Sequence, residues 1–79
     1  MADIADRIVD LVVEISGEDE VADERDLDLF EEQILDSMAA IELLLAIEND
    51  FGVSIAPTEL ERDEMNTVNK IIARVSERL

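Results

Sequence analysis

The fold of this chain is decided by residues 34–47, whose sequence is ILDSMAAIELLLAI. Nine of the last ten residues of this stretch are apolar, and only Glu42 is charged. The pattern and its length predict a helix from Met38 to Phe51. Asp36 or Ser37 can cap it, because either side-chain oxygen can accept hydrogen bonds from the free amides of the first turn.

A helix that is apolar on every side is normally buried on every side, and a chain of 79 residues cannot bury one in that way. A helical wheel therefore divides this helix into two faces. The expected core face comprises Ala40, Leu43, Leu44, Ile47 and Phe51. The remaining apolar stripe comprises Met38, Ile41 and Leu45. Acidic residues flank the stripe, namely Asp36, Glu42 and Glu48. We interpret the stripe as a docking surface for a partner with a basic rim; the alternative is that the segment at Thr58 covers it.

The rest of the chain also has helical periodicity. A first helix is predicted over residues 3–16, ending at Gly17, because its apolar residues share one face: Ile4, Ile8, Leu11, Val12 and Ile15. A last helix, capped by Thr67, is predicted from a similar set: Val68, Ile71, Ile72, Val75 and Leu79. The spacing of a capping box at Thr58–Glu61 predicts one short helical turn. Three long helices and one short one give an all-α fold.

The segment between the first two long helices is strongly acidic. From Glu14 to Glu32 there are ten acidic residues and one basic residue, Arg25. Four apolar residues are expected to pin this crossover to the core: Val21, Leu27, Leu29 and Phe30. An EF-hand requires glycine at its sixth position, which neither the stretch from Asp19 nor that from Asp26 provides, so no metal site is predicted.

Composition excludes several functions. The chain of 79 residues and 8.8 kDa is expected to form one domain, residues 1–79, with a net charge of −16. That charge repels phosphate backbones and anionic lipids, so neither nucleic acid nor a membrane is the expected partner. There is no cysteine or histidine, which removes the commonest nucleophile, general base and metal ligands, and so argues against an enzyme. Without a basic, apolar leader, we expect a cytoplasmic protein.

From Leu29 to Ile72 the sequence resembles the acyl carrier protein family. The resemblance is clearest at residues 34–38, ILDSM, and in the helix that follows. It implies a four-helix bundle with a long acidic loop between helices 1 and 2. It further implies that Ser37, which matches the family's modified serine, carries covalent 4′-phosphopantetheine. The missing cysteine is then understandable, because the prosthetic group brings its own thiol. Without the resemblance, Ser37 would be interpreted as a helix cap in an acidic interaction module.

Within that family, the segment after residue 57 is most similar to the D-alanyl carrier proteins of teichoic acid D-alanylation. Their pattern is close to Ser-Glu-Phe-Asp-Arg-x-x-Trp-x-Thr-Pro-Asn-Lys-Ile. The positions that match it are Glu59, Arg62, Thr67, Asn69, Lys70 and Ile71. The positions that depart from it are Leu60, Glu61, Met65 and Val68. One alternative is a carrier of fatty-acid or polyketide synthesis, because Thr-Val, as at Thr67-Val68, is common in fatty-acid carriers. A peptidyl carrier is a further alternative that the charge disfavours, since those carriers are usually less acidic.

The resemblance implies a function and a set of partners. The cargo would be D-alanine, held as a thioester for D-alanylation of lipoteichoic acid in the cell wall. The partners would be a phosphopantetheinyl transferase, a D-alanine-activating ligase and a membrane O-acyltransferase, with the carrier itself a monomer. The residues expected to bind partners are Asp36, Met38, Ile41, Glu42, Leu45, Glu48, Glu59 and Arg62.

Overall fold

Three α-helices form the framework of the structure. The computed structural model describes residues 4–56, 58–59 and 61–79, apart from the side chain of Arg62. The helices are α1 (Ile4–Ser16), α2 (Ser37–Phe51) and α3 (Val68–Ser76), and 3₁₀ turns lie at Asp19–Ala22 and Arg62–Glu64. No strand occurs in these described ranges, and the all-α prediction is confirmed.

The helix ends follow the local sequence. Gly17 and Gly52 end α1 and α2 with φ of +74° and +70°, in the left-handed region that favours glycine. Thr67 caps α3, because its Oγ1 accepts a hydrogen bond of 3.1 Å from the Lys70 N–H. The sequence predicted that the last helix includes Leu79, whereas α3 ends at Ser76. Leu79 lies beyond the helix with 60% of its surface exposed, so it does not belong to the core face.

The short helical element lies later in the chain than predicted. Thr58 and Glu59 lie in a turn, and the 3₁₀ turn follows at Arg62–Glu64. Its capping interaction comes from Glu64, whose Oε1 accepts from the Glu61 N–H at 3.0 Å. The predicted box at Thr58–Glu61 includes Leu60, which is outside the described residues. In the described part of the chain, the fourth helix is therefore a single 3₁₀ turn.

The core forms around α1, which packs against both α2 and α3. Side chains from all three helices are almost or completely inaccessible to solvent: Ile8, Val12, Leu43, Ile47, Val68, Ile71 and Val75. Within the described residues, no helix has the length and apolar character needed to cross a bilayer.

Three of the four apolar side chains predicted to pin the acidic crossover hold it on this core, and the prediction is wrong for Leu27. Val21 and Leu29 are fully buried, and Phe30 packs partly buried against the core. Leu27 is half-buried and outside the core cluster. The Leu29 N–H also donates a hydrogen bond of 2.7 Å to the carbonyl of Asn66, next to the start of α3. The crossover is thus attached to the core and to the residues just before α3 rather than extending freely into solvent.

Asp28 is the polar centre of this connection. Its Oδ1 accepts from the N–H groups of Phe30 and Glu31, at 3.1 and 2.9 Å, and its Oδ2 accepts from Asn66 Nδ2 at 2.8 Å. The hydrogen bond from the Glu31 N–H is the main cause of a lowered pKa for Asp28. The hydrogen bonds from Asn66 and Phe30 and the positive charge of Lys70 also lower this pKa. Partial desolvation of the carboxylate opposes them, because it raises the pKa.

We expect Leu29→Ala to destabilise the protein by about 2–5 kcal/mol, the usual range for truncating a fully buried leucine. Leu27→Ala is the matched control, because Leu27 lies in the same crossover but only half-buried. Urea unfolding followed by circular dichroism measures both variants. Equal midpoints for the two variants would show that the crossover is not pinned through Leu29.

We expect Asp28→Asn to be less stable than the wild type at neutral pH, with the difference disappearing in acid. A lowered folded-state pKa means that ionised Asp28 stabilises the fold above its ordinary value of 3.8, and that this contribution is lost as the pH falls through the folded-state pKa. Asp23→Asn, which removes the same charge from an exposed site in the crossover, is the control. Unfolding free energies from pH 7 to pH 2 measure the effect. Parallel curves for the two variants would contradict it.

Candidate functional site

The start of α2 assigns different roles to two adjacent polar residues. Asp36 is the N-cap: its backbone is extended, with φ −112° and ψ −175°, and its side chain accepts from the Ala39 N–H at 2.8 Å. Ser37 is the first residue of the helix, with an exposed side chain. Of the two caps that the sequence allowed, the structure uses Asp36. The Ser37 hydroxyl is therefore not needed for capping.

The surroundings of the Ser37 hydroxyl favour a negatively charged substituent. The hydroxyl makes no hydrogen bond to any of the described residues, and the backbone N–H groups of Ser37 and Met38 likewise have no acceptor among them. Unpaired N–H groups and the positive end of the helix dipole both stabilise an anion at this position. A phosphate ester on Ser37 would therefore meet donors instead of desolvated apolar surface.

A groove begins at Ser37 and runs along the end of the crossover. Its volume is about 460 Å³, and it is lined by Phe30, Gln33, Leu35, Asp36 and Ser37. The lining combines an aromatic ring, a leucine and a carboxamide with the polar residues of the helix start. A chain of mixed apolar and amide character attached to Ser37 fits such a lining.

The apolar stripe of α2 is exposed, as the helical wheel predicted. Met38, Ile41 and Leu45 have 73%, 45% and 56% of their surfaces exposed, and the neighbouring Glu42 and Glu48 are exposed as well. The opposite face supplies the buried residues of α2: Ala40, Leu43, Leu44 and Ile47. Phe51 is partly buried and packs at the edge of the core. Adjacent exposed apolar and acidic side chains form a surface suited to an apolar partner with a basic rim.

The two predicted partner-binding residues that follow α2 in the chain are Glu59 and Arg62. Glu59 is exposed, and its Oε2 lies 3.6 Å from Arg78 Nη2, which ties it to the end of the chain after α3. The side chain of Arg62 is outside the described part. Lys70 is also engaged within the fold, because its Nζ donates a hydrogen bond of 2.8 Å to the carbonyl of Asp63. Lys70 therefore fastens the 3₁₀ turn to α3.

Asn69 is a second residue of the segment with a structural contact. Its Nδ2 donates to Asp26 Oδ1 at 2.7 Å, and its backbone N–H donates to the carbonyl of Arg25 at 3.1 Å. Sequence reasoning used Asn69 and Lys70 only as marks of similarity. The structure shows that both bind neighbouring segments of the same chain.

Within the described ranges, no group of three or more acidic side chains is placed so that it could hold a metal ion. The carboxylate of Asp28 accepts hydrogen bonds from the Phe30 and Glu31 amides and from Asn66.

Comparison with known proteins identifies the family. The family model described as the phosphopantetheine attachment site matches residues 6–75. The D-alanyl carrier protein of Lactococcus lactis subsp. cremoris is 49% identical over 73 residues, covering 92% of each chain. The D-alanyl carrier proteins of Bacillus velezensis and Bacillus subtilis are 44% and 41% identical, covering 89% and 95% of this chain and 90% and 96% of their own lengths.

These matches confirm the predicted family and the prediction of a carrier rather than a catalyst. The matched region includes the whole of α2 with Ser37 at its start, as well as nearly all of α1 and α3 up to residue 75. The chain therefore belongs to the phosphopantetheine attachment family, in which it groups with the D-alanyl carrier proteins.

Proposed function

We propose that this protein carries D-alanine as a thioester on 4′-phosphopantetheine attached to Ser37 Oγ, for D-alanylation of lipoteichoic acid. The observation that carries the proposal is the exposed Ser37 hydroxyl at the first position of α2, in a chain whose family is defined by phosphopantetheine attachment. The D-alanine cargo is supported by relatives that are D-alanyl carrier proteins over nine-tenths of their length. When attached, the group supplies the thiol that holds the acyl cargo.

The chain's own residues prepare Ser37 for attachment. In this reaction the serine oxygen bonds to the coenzyme A phosphorus that carries pantetheine, and the hydroxyl proton passes to solvent. The bond from that phosphorus to the bridging pyrophosphate oxygen breaks, and adenosine 3′,5′-bisphosphate departs. Asp36 holds the first turn of α2 in place by capping Ala39. The serine then faces solvent, where a transferase can reach it. The unpaired N–H groups of Ser37 and Met38 stabilise the negative charge of the resulting phosphodiester.

Partner binding is proposed to use the stripe Met38, Ile41 and Leu45 together with Asp36, Glu42 and Glu48. The apolar side chains supply the area that is desolvated on docking, and the carboxylates attract a basic rim and orient it. Glu59 and Arg62 are proposed to extend this surface towards the 3₁₀ turn. We propose that the carrier is a cytoplasmic monomer that meets a phosphopantetheinyl transferase, a D-alanine-activating ligase and a membrane O-acyltransferase in turn.

We expect Ser37→Ala to fold as the wild type does and to accept no phosphopantetheine. Because Asp36 provides the cap, replacing Ser37 removes no capping bond, whereas Asp36→Ala should cost about 0.5–2 kcal/mol. Intact mass after incubation with coenzyme A and a transferase measures modification, and thermal unfolding measures stability. Ser54→Ala and Ser76→Ala, which alter other exposed serines, should be modified normally.

The same preparation tests the cargo. The holo protein should accept D-alanine from a D-alanine-activating ligase with ATP, and should be a poor substrate for fatty-acyl loading. Modification of the Ser37→Ala variant would refute the attachment site. Efficient fatty-acyl loading without a D-alanyl thioester would instead refute the cargo and leave a generic acyl carrier.

We expect Leu45→Asn to raise the KM for ligation at least about fivefold without loss of helicity, since losing an interface anchor costs more than about 1 kcal/mol. Leu79→Asn is the matched control, because Leu79 is an equally exposed leucine outside α2.

Glu42→Lys should lower the association rate and flatten its dependence on salt, whereas Glu20→Lys, the same charge change in the crossover, should have less effect. Steady-state and stopped-flow kinetics with the ligase measure these effects. Unfolding of the Leu45→Asn variant would show that Leu45 belongs to the core.

A further inference from the structure

Gln33 has an unusual backbone for its residue type. Its φ is +60°, in the left-handed region, and the other described residues with positive φ are Gly17 and Gly52. A residue with a Cβ is disfavoured in this region. A glutamine there therefore raises the question of whether its side chain has a function.

The backbone geometry itself is explained by the turn that ends the crossover. The Ile34 N–H donates to the Leu29 carbonyl at 2.8 Å, and the Gln33 N–H donates to the Phe30 carbonyl at 3.1 Å. These two bonds are the Schellman arrangement, which requires a left-handed residue at the position of Gln33. Glycine would satisfy the turn with less strain. The turn therefore explains the backbone of Gln33 but not its side chain.

The side chain of Gln33 lines the groove that begins at Ser37. It is exposed, and its carboxamide makes no hydrogen bond with any of the described residues. A free carboxamide can donate and accept at the same time. Phe30 and Leu35 line the same groove of about 460 Å³ and supply apolar surface beside it.

The phosphopantetheine arm has matching chemistry. After its phosphate come a methylene group, a carbon that bears two methyl groups, a hydroxyl-bearing carbon and the first of two amides. A groove entered from Ser37 would meet these groups in order: the phosphate at the helix start, the methyl groups against apolar side chains, and the amide near Gln33. Gln33 is uncharged, so it adds no repulsion to that of Asp36 against the phosphate.

We propose that the groove lined by Phe30, Gln33 and Leu35 holds the first half of the arm, with the Gln33 carboxamide hydrogen-bonded to the arm's first amide. This inference rests on the proposed attachment at Ser37 and assigns Gln33 as a positioning residue. The groove holds the arm against the crossover while the carrier is free. Binding in the groove is separate from the stripe of α2, which stays available for partners.

The experiment compares apo and holo forms of the wild type with Gln33→Gly and Gln33→Ala. Gln33→Gly removes the carboxamide and relieves the left-handed strain, whereas Gln33→Ala removes the carboxamide and keeps the strain. The readout is nuclear magnetic resonance: nuclear Overhauser effects from the arm's methyl groups to the Phe30 ring, and the shift of the Gln33 side-chain NH₂ between the two forms. Glu32→Gln, an exposed neighbour that does not line the groove, is the control.

In the wild type and in Glu32→Gln, the holo protein should show the methyl-to-ring effects. In both Gln33 variants, modified to the same extent by mass, these effects should fall to background. Their absence from the holo wild type, or their retention in either Gln33 variant, would overturn the inference while leaving attachment at Ser37 intact. Failure of Ser37 to be modified at all would overturn the proposed function itself, so the two failures are distinguishable.

Discussion

The arrangement of this protein depends on how Leu29 anchors the acidic crossover. Its side chain is fully buried, its N–H donates to the Asn66 carbonyl, and its own carbonyl accepts from the N–H groups of Ile34 and Leu35. An apolar anchor is required because the surrounding carboxylates repel one another and would favour an extended segment. Since Leu29 is fixed, the turn at Gln33 is fixed, and the direction in which Asp36 and Ser37 enter α2 follows. The site is thus positioned by a residue that does not touch it.

The cationic side chains that the structure describes are paired within the fold. Each described cationic side chain contacts an acid or a carbonyl of its own fold: Arg7 with Asp50, Arg25 with Asp6, Lys70 with the Asp63 carbonyl, Arg74 with Glu77, and Arg78 with Glu59. Exposed pairs of this kind add little stability individually. Their effect on recognition is larger, because a cation already paired within the fold contributes little to repelling a basic partner. The charge presented beside the stripe of α2 is therefore largely acidic.

The sequence was sufficient for features that arise from local chemistry. Periodicity placed α1 and α2, glycine predicted where both helices end, and threonine predicted the cap of α3. The wheel separated Leu43 from Leu45 correctly. The resemblance supplied the role of Ser37, which no spacing argument gives. The choice of Asp36 over Ser37 as the cap was open, because both residues have a suitable oxygen and only the backbone at residue 36 decides between them.

What the sequence did not reveal comes mainly from contacts between distant segments. The bonds from Asn66 to Asp28 and from Asn69 to Asp26 join residues about forty positions apart, and no local pattern encodes such pairs. The turn that ends in Gln33 had a usable signal, since Asp28 and Glu31 have the spacing of a capping box. Only the Asp28 half of that box is seen, in its bonds to the Phe30 and Glu31 amides. The end of this turn was not predicted, because its left-handed position holds Gln33 instead of the glycine that usually marks such a position.

Asp36 caps α2 and Ser37 is the proposed attachment site, and these separate roles link the fold to the proposed chemistry. If the serine were the cap, its oxygen would accept a hydrogen bond from the first turn, and esterification would remove a bond that holds the helix. Because Asp36 accepts that bond, attaching or removing phosphopantetheine at Ser37 would leave the cap of α2 intact. Keeping α2 unchanged matters, since its exposed stripe is the surface that successive partners are proposed to use. The fold thus separates Asp36, which holds the helix, from Ser37, which is proposed to be modified.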